Sequence, residues 1–148
     1  MKAVLQRVAR ASVTVDGTVS GRIDEGLLVL LCAERDDTDA DAAFFARKVA
    51  SMRIFADADG KMNRSVKDIG GGVLVVSQFT LAADWRKGNR PGFSRAAAPD
   101  EGNRLYEYFC DCVTDEGLPV ERGVFGAHMA VELLNDGPVT IVMDSKDG

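Results

Sequence analysis

Two apolar runs, LLVLLCA at residues 27–33 and VLVVSQF at 73–79, constrain this chain more than anything else in it. Both fall far short of the roughly 20 apolar residues that cross a membrane as a helix. Both are also too continuously apolar for strands with one wet face, which alternate. They predict interior strands of a sheet covered on both faces, as in a sheet sheltered by helices. Thr38 with Asp41 forms a variant of the capping box, and Phe45, Val49 and Met52 then recur at helical spacing. Pro99-Asp100-Glu101 opens a second helix, its early acids suited to the positive end of the helix dipole. Leu105, Phe109 and Val113 carry that helix on one face until Gly117 ends it.

The rest reads as strand and turn. Ala3 to Val15 alternates over a long strand, bulged at ARAS (9–12), and DGT at 16–18 turns it into VSGRI. ADADGKMN is read as loop, and GGG at 70–72 punctuates the entry to the second apolar run. Short strands are expected around Val120–Val124, Met129–Leu134 and Val139–Met143. Between the last two lies NDGPVT, residues 135–140. Its proline cannot donate to a strand ladder, so it marks either a hairpin turn or a fixed backbone shape presented to something outside the strand. With 148 residues, one domain is expected over 1–148. Its class is α/β, with mixed, largely antiparallel sheets and two main helices in a three-layer arrangement.

Most familiar chemistries lack their residues. No GxxxxGK[ST] or GxGxxG follows a strand, and Ser77 lacks the G-x-S-x-G elbow. The single histidine, His128, would complete a triad only by meeting Ser77 or another hydroxyl in space. Three cysteines, with Cys110 and Cys112 on different faces of a helix, suit neither a disulfide framework nor a metal site. The start of the chain lacks the long apolar segment of a secretory signal, so a cytoplasmic location is expected. The formal net charge of −5 is the wrong sign for tight nucleic-acid binding. Yet residues 84–95, DWRKGNRPGFSR, carry four basic side chains against one acidic, with Trp85 and Phe93 among them. Composition admits both a solvated loop and an electropositive loop that meets an RNA end. Polar chemistry remains at the end of the second run, where Ser77, Gln78 and Thr80 follow the apolar residues; α/β sites commonly form there, although Ser and Thr also satisfy nearby backbone.

SQFTL at 77–81 and NDGPVT at 135–140, with the opening MKAVLQRVARASVTVDG, the G-NRP-F loop at 88–93 and FGAHM at 125–129, resemble the D-aminoacyl-tRNA deacylases over the whole chain. The resemblance implies an enzyme that hydrolyses the ester joining a D-amino acid to the 3′ end of tRNA, and that removes glycine from mischarged tRNA-Ala. It implies a homodimer with active sites at the subunit interface, needing neither cofactor nor metal. Gly137 and Pro138 would form a cis step that enters the partner's pocket and clashes with an L side chain, glycine's missing Cβ allowing the close approach. Ser77, Gln78, Phe79 and Thr80 would form the opposite wall, with backbone N–H groups near Phe79 and Thr80 for the oxyanion. Thr80 would be either nucleophile or positioning group; the terminal ribose 2′-OH is the favoured assistant. Arg86, Lys87, Arg90 and Arg95 would meet acceptor-stem phosphates, while Phe125 and Met129 would line the pocket of the terminal adenosine, core packing being an equal reading for Phe125. His128 departs from the acidic residue common at that place in the family, which argues against a family-wide role for it. Another small ester hydrolase and a non-catalytic RNA-binding module are the rival readings.

Overall fold

The two apolar runs lie side by side at the centre of the molecule. In the computed structural model, which describes residues 1–147, β3 (Gly26–Cys32) and β6 (Gly72–Ser77) pair in parallel, Leu27 opposite Val73 and Leu31 opposite Ser77. Their side chains divide between two cores. Leu27, Val29, Leu31, Val73 and Val75 face one, and Leu28, Leu74 and Val76 face the other.

Two helices, α1 (Asp39–Ser51) and α2 (Pro99–Asp115), cover the first core with Phe45, Val49, Leu105, Phe109 and Val113. α1 starts where the capping pattern placed it: the Asp41 carboxylate accepts the Thr38 N–H at 2.8 Å. Pro99 occupies the first turn of α2, and Gly117, at φ +88°, follows its end. A left-handed residue favours glycine there because a Cβ would crowd the following carbonyl.

The second face has no helix on it, which differs from the expectation. The sheet covers itself. β1 (Lys2–Val15) is long enough to pair with β3 through its first half and with β2 (Thr18–Ile23) through its second. That second half curls over the central strands, so Val8, Ala11, Val13 and Ile23 pack on Leu28, Leu74 and Val76. β2 thereby approaches β7 (Val120–Arg122), which pairs in parallel with β6. Gly21 permits the approach: a Cβ there would lie 2.6 Å from the Arg122 carbonyl oxygen. Helices, central strands and the curled β1–β2 ribbon make the three layers. A small hairpin of β4 (Phe55–Ala56) and β5 (Met62–Arg64) replaces the loop expected at ADADGKMN.

NDGPVT is the larger correction. The chain does not reverse there. One strand, β8 (Ala130–Asp144), runs antiparallel along β1 for its whole length, from Thr14 opposite Ala130 to Lys2 opposite Asp144. Val8 pairs with Asn135 and Gln6 with Thr140, so residues 136–139 bulge out opposite Arg7 alone. The Gly137–Pro138 bond within the bulge is cis. A second irregularity falls at Ala9, between the pairs Val8–Asn135 and Arg10–Leu134, at the start of ARAS. No helix among the described residues is long and apolar enough to cross a membrane.

Candidate active site

β6 delivers its last residues to the carboxyl edge of the parallel strands. The helical layer fixes that edge, since the buried Tyr106 hydroxyl of α2 donates to the Val75 carbonyl at 2.8 Å. Burial holds the Tyr106 phenol well above its ordinary range, so it stays a donor. The strand ends earlier than the apolar run suggested. Gln78 N–H still reaches back to Leu31 O at 2.8 Å, but Phe79–Ala82 then wind into a single 3₁₀ turn. Leu81 N–H donates to Gln78 O and Ala83 N–H to Thr80 O. The N–H groups of Phe79 and Thr80 have no acceptor among the described residues. Orphan donors are what the first turn of any helix leaves behind. The Thr80 hydroxyl accepts a hydrogen bond from Gln78 Nε2 at 2.5 Å, leaving its own proton free to donate.

Beside this turn opens a cavity of about 750 Å³. Ser77, Gln78 and Phe79 form part of its wall, Phe125, His128 and Met129 another. Phe93 adds an aromatic edge, its ring centroid 5.0 Å from that of Phe79 at 74°. Phe125 and Met129 do two jobs: each lines the cavity and packs against a core, Phe125 with Tyr106 at 6.1 Å between centroids. Phe125 therefore both packs on the core and faces the cavity. A smaller space of about 30 Å³ lies behind, lined by Cys32, Ser77, Tyr106 and Phe125 among others. Burial, reinforced by Glu34, pushes the Cys32 thiol up to about 11, so it offers no thiolate near neutrality.

Several expected residues lie elsewhere. Thr80 adjoins the cavity without lining it. Gly137 and Pro138 are exposed on the β8 bulge and are absent from the cavity wall of their own chain. Arg86, Lys87 and Arg90 sit on an exposed loop closed by a two-way Asp84–Gly92 backbone pair at 2.7 and 2.9 Å. Trp85, 73% exposed, stands on the same loop with the Arg86 guanidinium 5.9 Å from its ring. Arg95 is exposed nearby, and its carbonyl accepts the Arg35 N–H. His128 shares the cavity with Ser77 but hydrogen-bonds to neither Ser77 nor Thr80, and no acidic residue lines the wall, so no triad forms. Arg35 and Phe93 were not foreseen as lining residues. Phe93 lay in the quoted G-NRP-F loop, whereas ERDD around Arg35 carries no motif at all.

Unpaired amide donors, a positioned hydroxyl and a wall in which the one histidine meets no hydroxyl or carboxylate among the described residues suit a hydrolase that orients its substrate and stabilises an oxyanion. The comparisons with known proteins narrow that class. The family model described as D-Tyr-tRNA(Tyr) deacylase matches residues 4–144. A D-aminoacyl-tRNA deacylase of Ruegeria pomeroyi is 65% identical over 144 residues, covering 97% of this chain and 99% of the relative. One from Paracoccus denitrificans is 62% identical over 147 residues, covering 99% of both. Among solved structures, a c-Myc DNA unwinding element binding protein superimposes with a TM-score of 0.91 at 41% identity, over 98% of this chain and 99% of that one. A probable eukaryotic D-amino acid tRNA deacylase, at 21% identity and a TM-score of 0.79, shares the fold over 96% of this chain and 97% of its own. The chain belongs to the D-aminoacyl-tRNA deacylase family, hydrolases that cleave the ester bond of aminoacyl-tRNA.

Proposed function

We propose that this chain, acting as one domain in the cytoplasm, removes D-amino acids from tRNA, and glycine from mischarged tRNA-Ala, at sites shared between two copies. The observation that carries this reading is the division of the site. The turn at Phe79 and Thr80 offers free amide donors beside the cavity, while Gly137 and Pro138 project from an exposed bulge away from it. A second copy would bring its bulge over the first copy's cavity. The bulge is built to hold its shape: Asn135 Oδ1 accepts the Val139 N–H at 3.0 Å, its Nδ2 donates to Val139 O at 3.2 Å, and Arg7 Nε donates to Asp136 O at 2.8 Å. A backbone wall so fixed leaves no room for the side chain of an L-amino acid and admits a D residue. Glycine, having no side chain to clash, passes the same filter.

In the chemical step a water oxygen attacks the ester carbonyl carbon. The bond to the ribose oxygen breaks, and that oxygen takes a proton, leaving a free amino acid and a free 3′ end. The Phe79 and Thr80 amides meet the developing oxyanion. Gln78 holds Thr80, whose hydroxyl positions substrate or water rather than attacking. The terminal ribose 2′-OH assists the attack, and proximity supplies much of the acceleration. Phe125 and Met129 line the place of the terminal adenosine, with Ser77 beside them. Arg86, Lys87, Arg90 and Arg95 hold acceptor-stem phosphates without reading sequence.

The test is deacylation of D-Tyr-tRNA, L-Tyr-tRNA and Gly-tRNA in parallel, with a terminal 2′-deoxy substrate added. Cleavage of the D and glycyl esters, sparing of the L ester and a collapse of rate without the 2′-OH are expected. Equal D and L rates overturn the filter; an unchanged rate on the 2′-deoxy substrate overturns the RNA assistance.

A further inference from the structure

The cavity beside Phe79 has one permanently charged side chain in its wall, and it is Arg35. We propose that Arg35 binds the phosphate on the 5′ side of the substrate's terminal nucleoside, fixing how deeply the acylated ribose sits. This rests on the reading that the cavity holds that nucleoside.

Four observations converge on it. Arg35 is exposed and makes no ion pair among the described residues. Two of its three acidic neighbours are engaged elsewhere, the buried Glu34 and Asp37 carboxylates lying 3.5 and 2.7 Å from the Met1 ammonium, while Asp36 is exposed and makes no ion pair with Arg35. The backbone carrying it is held, with Arg35 N–H on Arg95 O at 2.9 Å, Ala97 N–H on Ala33 O at 3.0 Å and a bridge between Glu34 and Ala96. A guanidinium on a fixed stem loses less freedom on binding than one on a loose loop.

The fourth observation lies in the same wall, next to the segment that pairs with residues 33–35. Ala98 and Pro99 also line the wall, so the 17-residue α2 begins there. Its N-cap, Ala98, has no side chain able to cap, and the N–H groups of Asp100 and Glu101 find no acceptor among the described residues. The Glu101 carboxylate is itself engaged by Arg104 at 2.6 and 3.0 Å. A helix N-terminus and an arginine lining one cavity favour a phosphate, which the planar fork can grip in bidentate fashion. Uncharged aromatic and apolar wall beside them suits the nucleoside that carries it.

Two non-cleavable analogues differing by one group make the test. Each is D-tyrosyl adenosine with an amide in place of the ester, one bearing a 5′-phosphate and one without. They are titrated as competitive inhibitors of D-Tyr-tRNA deacylation. With the wild-type protein the phosphorylated analogue should inhibit about tenfold more tightly. Arg35→Ala should erase that difference and leave the phosphate-free analogue within about twofold of its wild-type constant, while Arg35→Lys should keep part of it. Equal inhibition by both analogues in the wild type, or an equal weakening of both in Arg35→Ala, overturns the assignment. Ala127→Trp, which fills the cavity and stops turnover, is tested by direct calorimetric titration instead, where it should bind both analogues more weakly than the wild type does. If it leaves both unchanged, the nucleoside lies elsewhere and the cavity reading itself fails.

Discussion

Two short stretches, Ser77–Thr80 and Asn135–Val139, do opposite things with the same material. Both present backbone rather than reactive side chains. The first is an inward device: a buried parallel strand stops, winds one turn, and leaves two amide donors beside a cavity. Its position is inherited from the core, through Leu31 and Tyr106. The second is an outward device, in which an edge strand pushes four residues opposite one and holds them with Asn135 and Arg7. Its position is set locally. Interior strands give precision at the cost of access, and edge strands give reach. On the proposed reading, a site that stabilises charge and excludes one hand of an amino acid gains by drawing one part from each.

The contrast breaks most sharply at Gly137. A Cβ there would lie 2.4 Å from Val139 N and 2.9 Å from Val139 Cγ2, so Gly137→Ala must displace the bulge. Steady-state deacylation of D-Tyr-tRNA should fall about 100-fold, the scale of a misplacement near 1 Å. Because the bulge is exposed, the unfolding temperature should move by no more than about 2 °C. Asn135→Ala removes two hydrogen bonds from the same bulge, each worth about 1 kcal/mol. Activity should drop about tenfold, and discrimination against L-Tyr-tRNA should weaken with it.

On the inward side the expected effect is smaller. Thr80→Val keeps the shape and removes the hydroxyl that Gln78 holds, so kcat should fall less than about tenfold. A loss of about 10⁴-fold or more would instead mark Thr80 as a nucleophile. Least affected should be Arg86→Ala and Lys87→Ala, which touch neither stretch. Each should raise KM for aminoacyl-tRNA about twofold to threefold, with kcat unchanged and a shallower dependence on salt.

Much of the inward half was legible in the sequence. The two apolar runs announced interior strands, and Thr38, Asp41, Pro99 and Gly117 placed the helix ends. What could not be read was the cover of the second face: the β1–β2 hairpin is local, but its place over the central strands depends on the long-range pairing of β1 with β8 and the approach of β2 to β7. The same limit applies to NDGPVT. A proline between two apolar runs looks like a reversal, and only the shared partner β1 makes it a bulge in one strand. Arg35 was invisible for a related reason: it reaches the cavity because residues 33–35 bridge to 95–97, sixty residues away along the chain.

If each site draws Phe79 and Thr80 from one copy and Gly137 from the other, two dead chains can repair each other. Gly137→Ala has an intact cavity and a spoiled bulge; Ala127→Trp has the reverse. Co-expressed in equal amounts, they should give about a quarter of wild-type deacylation of D-Tyr-tRNA, since half of random dimers carry one good site of two. Each variant alone should be near background. Activity in the mixture no greater than the sum of the separate variants would contradict a site shared between copies.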